Sequence, residues 1–317
     1  MMATSYPVNL HAPDITPYRA GNTGVDYVTS FDSGNPGPHV MLTAVVHGNE
    51  LCGAITLDFL FKHDVRPTRG KLTFGFMNVA AFNRFDPADP EASRFVDEDF
   101  NRVWGNDVLE GSRESTELRR AREVRPIIDE VDYLLDIHSM QHPTVPLCMC
   151  GPTRKGEQLA RAISFPEHVV SDLGHSAGRR MRDYGVFADE SNRRNALLIE
   201  CGQHWEPSSE VVAKEMALRF LAHYDLIDPD FVADHLSTDA LVPQKVIEVT
   251  EPVTIKTDVF KFIQSYTGME VIEQVGTLIG YDGDEEVRTP YDQCVLIMPS
   301  KRLRKGESAV RFGRIAE

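Results

Sequence analysis

The chain has 317 residues, of which 48 are acidic and 33 are basic, for a formal net charge of -15. Hydrophobic residues make up 42% and charged residues 26%, which is ordinary for a globular protein with a large core. The acidic balance argues against a nucleic-acid partner because it leaves no basic stripe to follow phosphates, but it does not exclude an anionic small substrate.

Membrane association is not expected. Residues 1–9 lack the basic start and apolar run of a signal peptide, and no apolar stretch is long enough to span a bilayer. The five cysteines are odd in number and scattered, which disfavours a disulfide framework and favours reduced thiols. These features predict a cytoplasmic protein with no membrane partner.

Apolar, β-branched runs alternate with helical patterns up to about Pro229, which predicts an α/β fold with a mixed, mainly parallel sheet flanked by helices. The predicted strands are Val25–Ser30, His39–Val46, Lys71–Met77, Tyr133–Ile137, Val145–Cys150 and Ala196–Cys201. The predicted helices are Glu50–Lys62, Glu114–Glu130, Lys155–Ile163 and Ser209–Tyr224, with Ser112 as the cap of the second.

Residues 80–111 fit neither pattern. They are polar, rich in Asp, Arg, Asn and Pro, and they carry several aromatic side chains, including Phe100 and Trp104. A long irregular segment inside an α/β domain is usually a functional loop or disordered, and the aromatic residues favour an ordered, packed loop. We expect substrate contacts here.

Beyond about Pro229 the helical periodicity gives way to short alternating runs separated by Gly, Pro and Asp. This pattern predicts a small all-β domain. We therefore divide the chain into an α/β domain, residues 1–235, and a C-terminal β domain, residues 236–317.

The run MLTAVVHGNE predicts a strand that ends just before His47, Gly48, Asn49 and Glu50. Ligands of open α/β sheets collect at the carboxyl ends of strands, and a His and a Glu three residues apart across a tight turn can chelate one ion. Gly48 would permit the turn because glycine tolerates unusual backbone angles. The motif H-x-x-E by itself also occurs by chance.

A second predicted strand, in VDYLLDIHSM, ends at His138. His47, Glu50 and His138 would form a His2Glu set, a known shell for catalytic zinc that leaves one position open. Asp136 could accept a hydrogen bond from a ligand imidazole, or it could pair locally. His142 is a rival partner of His138, but its four-residue spacing suits a helix rather than a strand.

The third run, NALLIECGQHW, places Glu200 as the charged residue of an apolar strand end. A carboxylate at that position is suited to take a proton from an activated water and pass it to a leaving amine. We interpret the nearby His204 as a surface or pocket-rim residue rather than a ligand.

These three runs, in this order, resemble the succinylglutamate desuccinylase/aspartoacylase family, a branch of the zinc carboxypeptidase-like hydrolases. The resemblance covers roughly residues 38–205 and includes the loop sequence SRFVDEDFNRVW. It implies one zinc ion per chain held by His47, Glu50 and His138, with Glu200 as the general base and acid.

The same resemblance implies roles for loop residues. Arg94 would polarise the scissile carbonyl, and Asn101 and Arg102 would bind the carboxylate of the amino-acid part. Family members carry a small β domain that covers the active site, which implies a catalytic role for residues 1–235 and a covering role for residues 236–317. Tyr291 of the β domain is a candidate substrate contact. A further substrate arginine lies before the catalytic glutamate in some members, and Arg193 and Arg194 are in that neighbourhood.

The function predicted from these residues is metal-assisted hydrolysis of the amide bond in a small N-acyl amino acid. The alternatives are a zinc carboxypeptidase acting on peptides, a metal-binding protein without catalysis, and an esterase acting through Ser139. The presence of Glu200 and Arg94 argues against a metal-binding protein without catalysis. The lack of a G-x-S-x-G turn argues against the esterase. A small-molecule substrate with a carboxylate is the expected partner, and homo-oligomerisation is left open.

Overall fold

The computed structural model describes residues 6–174 and 177–316. Within these ranges the chain forms fourteen strands, listed in chain order: β1 Val28–Asp32, β2 His39–Ala44, β3 Lys71–Phe76, β4 Tyr133–Met140, β5 Leu147–Met149, β6 His168–Ser171, β7 Asn195–Gln203, β8 Lys245–Thr254, β9 Phe260–Phe262, β10 Val271–Ile272, β11 Leu278–Asp282, β12 Glu285–Arg288, β13 Cys294–Ile297 and β14 Ser308–Ile315.

The same ranges contain seven α-helices: α1 Leu51–Lys62, α2 Val79–Phe82, α3 Asn106–Leu109, α4 Thr116–Ile128, α5 Arg154–Ile163, α6 Pro207–His223 and α7 Pro229–His235. Helix α4 begins later than the sequence suggested, since Ser115 rather than Ser112 caps it by accepting a hydrogen bond from the amide of Leu118 at 2.9 Å.

Eleven strands form one sheet in the order β1-β3-β2-β4-β7-β5-β6-β8-β14-β13-β10, and β12-β11-β9 form a smaller sheet. The central strands β3, β2, β4 and β7 are parallel, whereas β1 and β5 run antiparallel to their neighbours β3 and β7. The predicted fold class, a mainly parallel sheet flanked by helices with a smaller antiparallel C-terminal region, is confirmed.

Both faces of the parallel strands are covered. Because side chains alternate along a strand, Val40 and Leu42 of β2 enter the core shared with α1, α5 and α6, whereas Met41 enters the core shared with α4. Burial on both faces explains why these strands are continuous apolar runs in the sequence.

The C-terminal strands extend the main sheet, because β8 pairs in parallel with β6 and then antiparallel with β14. The sequence did not predict that one sheet would continue from β6 into the C-terminal strands, because the side-chain pattern does not show which strands pair through their backbones. The division at residue 235 remains a prediction.

All five cysteines are free and buried, as expected for structural thiols. Among the helices of the described ranges, none is both long and apolar enough to cross a bilayer.

Candidate metal centre

Three neighbouring parallel strands bring the predicted site together. β2, β4 and β7 are adjacent in the sheet, and their carboxyl ends lie at the same edge. His138 of β4 is in direct register with Glu200 of β7. His47 and Glu50 follow β2, where Glu50 is the residue before α1.

The turn after β2 is held by a close approach of backbones. The amide of Gly48 donates to the carbonyl oxygen of Arg94 at 3.0 Å. A Cβ at Gly48 would lie 2.3 Å from the carbonyl oxygen of Ser93 and 2.5 Å from the amide nitrogen of Phe82. The sequence suggested that Gly48 is needed for an unusual backbone angle, and this reason was wrong. Gly48 instead leaves space for the loop that carries Arg94. The residue with a positive φ is Val45, at 53°.

The three predicted ligands form one buried cluster. Nδ1 of His47 lies 2.7 Å from Oε1 of Glu50, and Nδ1 of His138 lies 2.9 Å from Oε2 of the same carboxylate. One ligand atom from each residue lies within 4.8 Å of the others. This spacing and donor set suit a single zinc ion with a position left open for water.

The other nitrogen of each imidazole faces a carboxylate. Nε2 of His47 is 3.0 Å from Oδ1 of Asp99, and Nε2 of His138 is 2.8 Å from Oδ2 of Asp136. Asp136 is itself fixed, since the hydroxyl of Thr43 donates to its Oδ1 at 2.8 Å. Such carboxylates orient ligand histidines and leave Nδ1 free for the metal.

The electrostatics of the cluster favour a bound cation. Burial alone would raise the pKa of Glu50, but His47 and His138 hold it well below its usual value. Burial alone would lower the pKa of His138, but Asp136 and Glu50 raise it well above its usual value. A positive charge beside Glu50, such as a metal ion, would therefore be stabilised by this buried carboxylate.

Glu200 lines the cavity beside this cluster. It is 7% exposed, and its Oε2 has no hydrogen-bond partner among the described residues. Burial raises the pKa of Glu200 to about 8, against the opposing effect of His138. A free carboxylate oxygen with a raised pKa suits proton transfer near neutral pH.

Arg94 reaches the cluster from the loop. Its Nη1 lies 3.4 Å from Oε1 of Glu50, and its Nη2 lies 3.3 Å from Oδ2 of Asp99. The raised pKa of Arg94 is due to Asp99 and Glu50, which outweigh its burial. Its cationic guanidinium therefore lines the cavity beside the ligand cluster.

Arg102 and Asn101 have different environments. Arg102 lines the cavity, and Nη1 donates to the backbone oxygen of Asn101 at 2.7 Å. Asn101 is buried: its Oδ1 accepts from the amide of Met181 at 2.8 Å, and its Nδ2 lies 3.5 Å from Nε2 of His138. Asn101 is therefore placed to hold the loop, and the structure does not bring it to the cavity wall.

The cavity has a volume of about 160 Å³ and is closed on one side by the C-terminal region, whose lining residues are Thr267, Met298, Pro299, Ser300, Ser308 and Arg311. Tyr291 is not among them. Its hydroxyl lies 2.6 Å from Oγ1 of Thr250, and the guanidinium of Arg314 stacks on its ring at 3.9 Å. Tyr291 lies in the segment between β12 and β13, whose position relative to the cavity depends on the fold rather than on a strand pattern.

Arg193 and Arg194 lie at the opposite end of β7 from Glu200. Arg193 is 3.6 Å and Arg194 3.8 Å from Oδ1 of Asp132, next to the start of β4. Proximity in sequence to the catalytic strand was misleading here, because the strand itself separates its two ends. Neither arginine contacts the site.

Of the two positions that the sequence suggested for His204, the structure contradicts the surface one, since the residue is 1% exposed, and it agrees with a place in the wall of the pocket, because His204 lines the cavity. Its Nδ1 lies 2.8 Å from Oγ of Ser139, and burial lowers its pKa to about 3. Such a weakly basic imidazole is a poor base for a serine nucleophile, so this pair does not favour an esterase. His142 instead contacts the hydroxyl of Tyr6 at 3.2 Å and is not in the ligand cluster.

The mainly parallel sheet and the His2Glu cluster at its strand ends define an α/β protein with a candidate metal centre. A sequence model described as the succinylglutamate desuccinylase/aspartoacylase catalytic domain matches residues 36–224, which is more than half of the chain. The chain belongs to the succinylglutamate desuccinylase/aspartoacylase family.

Solved structures with this fold include succinylglutamate desuccinylases from Vibrio cholerae and Chromobacterium violaceum. The first is 16% identical with a TM-score of 0.66, covering 92% of this chain and 86% of that one. The second is 17% identical with a TM-score of 0.65, covering 93% and 90%. The product-bound ectoine utilization protein EutE (DoeB) from Ruegeria pomeroyi is 16% identical, with a TM-score of 0.58 and 92% of both chains covered.

Proposed function

We propose that this protein is a zinc-dependent hydrolase that cleaves the amide bond of a small N-acyl amino acid or a related N-acyl amine. The observation that carries this proposal is Glu200, a buried carboxylate with a free oxygen beside the ligand cluster. A protein that only bound a metal would not need a buried carboxylate that can transfer protons beside the metal site.

The residues present fit one zinc ion per chain at His47, Glu50 and His138. When bound, zinc would supply the Lewis acidity that makes a water molecule nucleophilic at neutral pH and polarises a carbonyl group. Asp99 and Asp136 would hold the two imidazoles in the orientation that directs Nδ1 to the ion.

Three side chains would carry out proton transfer, charge stabilisation and substrate binding. Glu200 would accept the proton of the attacking water and deliver it to the leaving nitrogen, which requires a pKa near the working pH. Arg94 would stabilise the negative charge that develops on the carbonyl oxygen. Arg102 would bind the carboxylate of the amino-acid part through a planar fork of N–H donors.

The cover over the cavity favours a small substrate over a peptide. Residues Met298–Ser300 and Thr267 line the cavity together with the ligand residues, and Arg302 pairs at 3.0 Å with Glu91 of the loop formed by residues 80–111. A cavity of about 160 Å³ suits a small substrate better than a long peptide, so a zinc carboxypeptidase is the second candidate.

The deciding experiment combines metal analysis with an amine-release assay. The purified protein is expected to hold one zinc per chain and to release amine from N-acetyl or N-succinyl amino acids, with activity lost on chelation and restored by Zn²⁺. Tripeptides serve as the comparison set. Faster release from peptides would favour the carboxypeptidase, and a protein with neither metal nor amide hydrolysis would refute the proposal.

A further inference from the structure

A buried carboxylate lies behind the loop formed by residues 80–111. Glu117 is the second residue of α4 and is 0% exposed. Among the ion pairs of residues 6–174 and 177–316, none includes Glu117. A buried carboxylate without a cation is costly unless hydrogen bonds satisfy it, so the stability of this charge depends on its donors.

Three of the donors are the backbone amides of consecutive loop residues. Oε1 of Glu117 accepts from the amide of Val96 at 2.6 Å. Its Oε2 accepts from the amides of Asp97 at 3.1 Å and Glu98 at 3.3 Å. Successive backbone N–H groups that converge on one anion form an anion-binding concavity, and here the anion is a side chain of the same protein. The conformation of the segment 96–98 therefore depends on a negative charge supplied by α4.

The fourth donor connects the same carboxylate to the chain that leads into the ligand cluster. Nδ2 of Asn78 donates to Oε1 of Glu117 at 3.0 Å, and the amide of Asn78 donates to the carbonyl oxygen of Val45 at 3.0 Å. Val45 lies two residues before His47. Four donors match the lone-pair sites of a carboxylate, so Glu117 is satisfied and joins the loop to the end of β2.

The residues on either side of the segment 96–98 reach the ligand cluster. Arg94 lies two residues before it and contacts Glu50 at 3.4 Å. Asp99 follows it directly and contacts Nε2 of His47 at 3.0 Å. Arg94 and Asp99 also pair with each other at 3.3 Å. A displacement of the segment would therefore move both side chains relative to the cluster.

The part of the loop that carries Arg102 has a separate support. Oδ1 of Asn101, the preceding residue, accepts from the amide of Met181 at 2.8 Å. This contact does not involve Glu117. Loss of the Glu117 carboxylate is therefore expected to displace the segment 96–98 and to leave Arg102 in place.

We propose that Glu117 is a positioning residue for the proposed reaction: its carboxylate binds the amides of residues 96–98 and thereby fixes Arg94 and Asp99 against the ligand cluster. This inference rests on the proposed amide hydrolase function. Glu117 does not line the cavity, so its effect on turnover passes through the loop.

The first test is the kinetics of Glu117→Gln with Zn²⁺ in excess. The side-chain amide has a single acceptor oxygen and would turn an NH2 group toward some of the loop amides, so the segment loses part of its support. We expect kcat to fall by about 10- to 100-fold, because a small displacement of Arg94 is enough to misplace its charge. KM is expected to stay within about threefold, since Arg102 keeps its place.

Two control variants separate positioning from stability and from charge. Val124→Ala removes a buried methyl pair from the same helix, about two turns from Glu117, and should lower the midpoint of urea unfolding without changing kcat. Asp97→Asn removes a charge from the same junction, where the carboxylate accepts from the amide of Thr116, and should also keep the wild-type kcat. A fall in kcat of equal size in Val124→Ala would show that Glu117 acts only through stability.

Hydrogen exchange tests the anchoring of the loop without turnover. The amides of Val96, Asp97 and Glu98 are expected to exchange about 10-fold faster or more in Glu117→Gln than in the wild type, and at wild-type rates in Val124→Ala. If they do so but the wild type hydrolyses no amide, the proposed function fails and the anchoring stands. Unchanged exchange in Glu117→Gln would refute the anchoring, and faster exchange with a wild-type kcat would refute the positioning role.

Glu117→Asp covers the case in which the glutamine variant does not fold. It keeps the charge but withdraws the carboxylate by one methylene group, so the loop amides should exchange faster and kcat should fall, each by about threefold or more. Wild-type values of both quantities in the folded aspartate variant would overturn the role of Glu117.

Discussion

The carboxylate of Asp99 lies 3.0 Å from Nε2 of His47, on the side of the imidazole opposite Glu50. Asp99 and His47 are 52 residues apart in the chain, and the loop that carries Asp99 also carries Arg94 and Arg102. The loop therefore contributes to the proposed substrate site and, through this contact, to the orientation of a predicted metal ligand.

Replacing Asp99 with Asn is expected to weaken zinc binding by about 10- to 100-fold, because a neutral amide oxygen is a weaker hydrogen-bond acceptor for the imidazole of His47 than the charged carboxylate. The affinity is measured by competition with a chelating dye. Asp97→Asn is the control, since Asp97 lies in the same loop but accepts from the amide of Thr116 at 2.7 Å. An equal loss in both variants would contradict the role of Asp99.

Glu200→Gln is expected to lower kcat by about 100- to 10,000-fold, because the amide cannot accept the proton of the attacking water. Zinc content should be unchanged, since Glu200 is not in the ligand cluster. Parallel measurement of kcat and of metal by mass spectrometry checks both statements. A variant that loses its zinc together with its activity would show instead that Glu200 supports the metal site.

Arg94 and Arg102 are expected to differ in the kinetic parameter they control. Arg94→Ala should lower kcat by about 100-fold or more, because stabilisation of the developing oxyanion is lost. Arg102→Ala should mainly raise KM, and only for substrates with a free α-carboxylate. Initial rates on a substrate and on its α-amide distinguish the two, and an equal loss on the amide would contradict the role of Arg102.

The ligand cluster could be predicted from the sequence because each ligand follows an apolar run of the right length. His47, His138 and Glu200 are polar residues at the ends of buried strands, and parallel strands bring their carboxyl ends together. The parallel sheet was predicted for the same reason, since strands buried on both faces are continuously apolar.

The orienting and cavity residues could not be found in this way. Asp99 stands among other acidic residues of the loop, and only the fold shows which of them meets His47. Arg311 lies in an alternating strand far along the chain, where its direction depends on the pairing of β14 with β8 and β13. Tyr291 contacts Thr250 rather than the cavity lining, and its substrate role stays a prediction.

Gly48→Ala is expected to lower the free energy of unfolding by about 1 to 3 kcal/mol, because the added Cβ would meet backbone atoms that cannot move independently. Metal affinity should fall as well, because Gly48 lies between the ligands His47 and Glu50 and its amide donates a hydrogen bond to the backbone oxygen of Arg94. Gly105→Ala is the control, because its Cβ would meet the side chain of Asp107, which can rotate away. Urea unfolding of both variants measures the difference, and equal stability would contradict this account.

His204 gives a pH dependence of stability whose sign follows from its pKa. Burial lowers the pKa from 6.5 to about 3 in the folded state, so between these values the unfolded chain binds a proton that the folded protein does not. The folded protein therefore loses stability as the pH falls below 6.5, by about 1.4 kcal/mol per pH unit once the unfolded histidine is charged.

The test compares the wild type with His204→Gln, whose amide oxygen can still accept a hydrogen bond from Ser139 but which does not titrate. Between pH 6 and pH 4 the wild type is expected to lose about 2 kcal/mol more than the variant in urea unfolding with a chelator present. The chelator matters because metal release from His47 and His138 would otherwise add its own pH dependence in both proteins. Parallel curves for the two proteins over this range would mean that His204 becomes protonated in the folded state, against the burial that the structure gives it.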